Sequence, residues 1–76
     1  MKSEHIRRAP HFSAEKIKDM RGWNRRSEED FARALGVSVA LYRRWEAGTI
    51  RPRGPVLRLF QIIYEKGFDF LLEASR

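Results

Sequence analysis

A helix stop and a helix start lie two residues apart in this chain, at Gly36 and Ser38. A glycine at the end of an apolar-periodic run closes a helix in the left-handed conformation. A serine in front of the next run opens one by capping its first amides. With only Val37 between them, the two helices are neither collinear nor joined by a long loop, so the second crosses the first at a steep angle. The upstream helix opens at Ser27, with Asp30 at capping-box spacing and Glu28 and Glu29 at its positive end. Phe31, Ala32 and Leu35 form its inner face. In the downstream helix Tyr42 and Trp45 point inward, Val37 and Tyr42 have staple spacing, and Gly48 ends the run. The stretch Ser27–Gly48 thus presents the outer face of its second helix to solvent.

The remaining punctuation is also helical. Ser13 caps a first helix, with Phe12 and Ile17 at staple spacing and Ile17, Met20 and Arg21 on one face. Gly22 and Asn24 weaken that helix beyond Arg21. Gly54-Pro55 starts a fourth helix, proline being tolerated in the first turn. From Val56 to Tyr64 that helix is apolar nearly all round. Gly67 breaks it, and Phe68 to Ala74 form a short fifth helix. No segment alternates with period two, so the expected class is all-α with five helices. Residues 1–12, with Lys2, His5, Arg7, Arg8, Pro10 and His11, read as a basic arm, and residues 13–76 as the domain.

At 76 residues the chain has room for one thin core. It has no cysteine, which removes disulfides, thiol chemistry and Cys-based zinc sites. No apolar run is long enough to span a bilayer, and the N-terminus lacks the apolar region of a secretory signal. These features fit a cytoplasmic protein. Enzyme chemistry finds little material. Ser13, Ser27 and Ser38 are explained as caps, and His5 and His11 as metal ligands lack further partners. Neither metal nor cofactor is expected. Sixteen Lys and Arg against ten Asp and Glu leave a net charge of +6, which points to a polyanion or serves solubility alone.

The residues Ser27, Phe31-Ala32-Arg33, Leu35-Gly36-Val37-Ser38, Arg44-Trp45-Glu46, Gly48 and Pro52 together resemble the Xre (Cro/cI-type) helix-turn-helix family. The later stretch RPRGPVLRLFQII is similar to HigA- and MqsA-type antitoxin regulators. The resemblance covers about residues 12–72 and implies a lambda-repressor-like fold that binds operator DNA as a repressor. It also implies an antitoxin that regulates its own operon alongside a toxin partner. Base contacts then fall to Val39, Ala40, Arg43 and Arg44. An arginine suits guanine O6 and N7, whereas Val39 and Ala40 can only pack on a thymine methyl or permit close approach. Ser38, Arg51, Arg53, Arg25 and Arg26 are the implied backbone contacts, the alternative for Arg25 and Arg26 being to neutralise Glu28, Glu29 and Asp30. Glu46 and Arg21 match a structural ion pair of the family.

Two departures bear on these roles. Glu28 stands where the family commonly has a phosphate-anchoring glutamine, and Asn24 and Arg26 stand at an apolar inter-helix corner, which Trp23 is expected to fill from the side. The apolar excess at the C-terminal end (Leu59, Ile62, Phe68, Phe70, Leu71 and Leu72) suggests a homodimer interface, or else a last helix that folds back over the monomer. The readings to be weighed against operator binding are an RNA-binding domain and a protein-interaction module.

Overall fold

The computed structural model describes residues 12–74; the rest of the expected basic arm lies outside that range. Five helices follow in order: α1 (Ala14–Trp23), α2 (Glu28–Leu35), α3 (Val39–Ala47), α4 (Val56–Lys66) and α5 (Phe68–Ala74). There is no strand among the described residues. The architecture is all-α and helix-turn-helix, as the punctuation requires.

The three serines act as read. Ser13 Oγ accepts from Lys16 N at 3.1 Å and Ser38 Oγ from Leu41 N at 3.1 Å. Ser27 Oγ accepts from Asp30 N at 3.0 Å while the Asp30 carboxylate accepts from Ser27 N at 3.3 Å, completing the capping box. Gly36 and Gly48 take φ 77° and 81°. Beyond them, Val37 N donates to Ala32 O and Thr49 N to Arg44 O, the six-to-one closure of a Schellman motif. α1 ends in the same way without a glycine. Arg26 N donates to Arg21 O at 3.3 Å, and Arg25 takes the left-handed position at φ 54°. A side chain there costs about 1 kcal/mol. Gly22 does not stop the helix, which continues to Trp23.

The core is assembled from all five helices. Ile17 and Met20 meet Phe31, Ala32 and Leu35, then Tyr42 and Trp45, then Phe60 and Ile63, and finally Phe68 and Leu71. Rings hold its centre: Phe31 stacks on Phe68 at 4.8 Å between centroids, and Trp45 meets Phe60 edge-on at 5.7 Å.

Three expectations are corrected here. Phe12, assigned to the arm, is buried with its ring 5.5 Å from that of Phe60, so the core begins one residue earlier. Trp23 does not turn inward; it is 66% exposed and lies beside Tyr64. The corner it was to fill is closed by polar side chains instead. Asn24 donates to Met20 O at 2.8 Å and accepts from Phe68 N at 3.1 Å, capping α5 from the end of α1. The Arg26 guanidinium lies 4.7 Å over the Phe68 ring and bonds Asp69 at 2.6 Å. Finally, Phe68 and Leu71 are only 2% and 4% exposed within the single chain, so neither is available to a second copy. α5 folds back on α4 and uses these two side chains to complete the core. Leu59 and Ile62 are half-buried against that core, while Phe70 and Leu72 remain exposed.

Candidate nucleic-acid interface

α3 is packed from two sides, by α1 and by α2. Its buried side chains are Tyr42, Trp45 and Glu46. The opposite side carries Ala40, Arg43, Arg44 and Ala47, all exposed. Ala40, Arg44 and Ala47 follow helical spacing along one ridge. The two alanines keep that ridge low, so Arg44 is the long side chain standing above it. Arg44 makes no ion pair among the described residues. Val39 is half-buried and packs on the core, leaving it a partial outward surface. The Ser38 hydroxyl already accepts the Leu41 amide, and its own hydrogen remains for a further partner.

What fixes the angle of this ridge is a charged clamp behind it. Arg21 of α1 donates through Nε to Glu46 Oε2 at 2.6 Å and through Nη2 to Glu46 Oε1 at 3.1 Å. Its Nη1 donates to Arg26 O at 3.3 Å. The Glu46 side chain is 6% exposed and that of Arg21 25%. Burial alone would raise the Glu46 pKa; the hydrogen bond from Arg21, with Tyr42 and the surrounding positive charge, outweighs it and holds the carboxyl below its usual range. The Tyr42 phenol is pushed far up, first by burial and then by the facing Glu46 carboxylate. Its buried hydroxyl faces that carboxylate without reaching hydrogen-bond geometry to any of the described residues.

Arg43 stands differently from Arg44. Its Nε donates to Glu28 Oε1 at 2.8 Å and its Nη2 to Glu29 Oε2 at 3.3 Å, joining α3 to the first turn of α2. Glu28 also approaches Arg21 Nη2 at 4.0 Å. Glu28 and Glu29 are thus bound to cations of the same chain.

Of the other expected backbone contacts, Arg51 and Arg53 are exposed on either side of buried Pro52, immediately after α3. Both lack an ion pair among the described residues. Arg25 is exposed in its left-handed position. Arg26 is engaged by Phe68 and Asp69 of α5, with its side chain 34% exposed, so a phosphate would share that guanidinium with Asp69. Sequence reasoning did not find the partners of Arg43. The only signal was three carboxylates in a row beside a basic surface. Among the described residues no group of three side chains could hold a metal ion, and His5 and His11 lie outside them. No helix of the described residues is long and apolar enough to cross a membrane.

Comparison with known proteins agrees with this geometry. Over 35 residues the chain is 46% identical to the uncharacterised helix-turn-helix-type transcriptional regulator YiaG in each of three Escherichia coli strains. The match covers 46% of this chain and 36% of those relatives, about a third of their length. No solved structure gives a significant match. The model of the helix-turn-helix family matches residues 17–71, from the core of α1 to the core of α5. The capped α2, the glycine turn, the outward ridge of α3 and the clamp behind it therefore place this chain in the Xre-like helix-turn-helix family.

Proposed function

We propose that the chain is a sequence-specific regulator that binds duplex DNA with α3 in the major groove. The observation that carries this is the outer ridge of α3: free of core duty, low at Ala40 and Ala47, and crowned by Arg44, which makes no ion pair among the described residues. A helix of this width fits the major groove, and an arginine fork pairs with guanine O6 and N7. Arg51 and Arg53 then hold phosphate on the flank, with Arg25 and the Ser38 hydroxyl as further backbone contacts. The similarity to a helix-turn-helix-type transcriptional regulator supports this reading. The RNA reading is less favoured, because Phe31, Tyr42, Trp45 and Phe60 are buried and offer no stacking platform.

Selection of binding sites from randomised duplexes tests the proposal. Arg44→Ala is expected to cost about 1–3 kcal/mol of binding and to flatten preference at one base pair. Arg53→Ala is expected to weaken all sequences alike and to lower the salt slope by about 1. Duplex binding indifferent to salt, or a preference for single-stranded RNA, overturns the reading. Repression by operator occupancy is the proposed mode of regulation, and a reporter that rises with the chain present would reverse its sign. Pairing of two copies would draw on Phe70 and Leu72, with the half-buried Leu59 and Ile62; a monomer occupying one half-site at micromolar concentration removes it. An antitoxin role is decided by the neighbouring reading frame: a small basic ribonuclease-like neighbour supports it, and an isolated gene argues against it.

A further inference from the structure

A guanidinium has two edges that can make paired hydrogen bonds. One is built from Nε–H and an Nη2 hydrogen, the other from Nη1 and the second Nη2 hydrogen. In Arg43 the carboxylates of α2 engage Nε and Nη2, at 2.8 Å from Glu28 and 3.3 Å from Glu29. Nη1 has no partner among the described residues. The side chain is 54% exposed and stands beside Arg44 on the outer face of α3.

We infer that Glu28 and Glu29 are positioning residues for sequence recognition: they hold one edge of Arg43 so that its distal edge is presented to a guanine in the major groove. The inference rests on the duplex-DNA reading of α3 and deepens it. An exposed arginine searches many rotamers, and each ordered one carries an entropy cost. Two acceptors on the neighbouring helix select a rotamer before DNA arrives, which is how preorganisation raises discrimination. The same pairing solves the electrostatic problem of the acidic first turn. Arg43 sits between the carboxylates and an incoming strand, so they contribute less repulsion. The acidic start of α2, in this account, serves base choice where a phosphate anchor would serve affinity.

The alternative to be broken is that these exposed pairs are incidental, since such ion pairs are commonly worth little in stability. The test uses the full chain and a pool of duplexes with a randomised segment. Helical content and thermal midpoint check that each variant is folded; the Ser27–Asp30 capping box is untouched. Glu28→Ala combined with Glu29→Ala is expected to lose about tenfold discrimination at one G·C pair, with binding to unrelated duplex no weaker. Arg43→Ala and Arg43→Lys are expected to lose preference at that same pair, lysine having no fork. Glu28→Gln combined with Glu29→Gln keeps the acceptor oxygens and is expected to keep most of the preference. If the alanine pair binds every duplex more tightly with its preference intact, the carboxylates only repel phosphate and the inference fails while the duplex reading stands. If the unsubstituted chain binds no duplex, both fail together.

Discussion

Arg21 and Arg43 donate to carboxylates through the same two atoms, Nε and Nη2, in two different solvents. Arg21 does so at the junction of α1 and α3, against a Glu46 side chain 6% exposed; Arg43 does so on the rim, against a Glu29 side chain 58% exposed. In the first region the partner has lost its water, so each charge depends on the other. In the second region water competes for both ends, and what remains is direction. The comparison teaches that hydrogen-bond chemistry alone does not tell a structural pair from a surface pair. Burial does, because it sets what is left behind when one partner is removed.

The largest expected effect lies on the inner side. Arg21→Ala leaves Glu46 desolvated and unpaired, and about 2–4 kcal/mol of folding stability should be lost in urea unfolding. A loss no larger than that of ordinary surface substitutions would erase the distinction between the regions. A smaller effect should appear with pH. The folded pKa of Glu46 lies below its unfolded value near 4.5. The stability it contributes is therefore complete above that unfolded value and is lost as pH falls through the lower folded one. Glu46→Gln should shallow the acid limb of the stability curve, and an unchanged limb would assign acid unfolding to other carboxylates. The smallest effect belongs to the rim. Arg43→Ala is expected to leave the thermal midpoint where it was. A clear drop would mean that the outer pair holds α2 and α3 together, making it a second structural clamp.

Much of this fold was legible because its signals are local. Ser13, Ser27, Ser38, Gly36 and Gly48 act within one turn of themselves, and each does what its residue type dictates. The partnership of Arg21 with Glu46 came from the family pattern, not from spacing. The readings that failed depended on where distant segments meet. Phe68 and Leu71 carry no mark that separates a monomer core from a contact between copies. Trp23 was expected inside because its corner seemed to need an apolar filler. Asn24 and Arg26 fill that corner with hydrogen bonds and a stacked guanidinium, which a hydropathy pattern cannot express. In the candidate site, the exposure of Ala40 and Arg44 followed from helical phase. The choice of Glu28 and Glu29 by Arg43 did not, because it depends on the crossing angle of two helices.

The Asn24 side chain has a consequence for how the domain comes apart. One amide spans 44 residues of sequence, tying the last turn of α1 to the first amide of α5. Together with the Phe31–Phe68 stack, it makes the chain closer to a closed hoop than to an open string. The central pair α2 and α3 is then held from both ends, and no terminal helix can peel away without exposing ring surface at the centre. Amide protons in α3 should exchange only when the whole hoop opens, at the same free energy as those of α1 and α5.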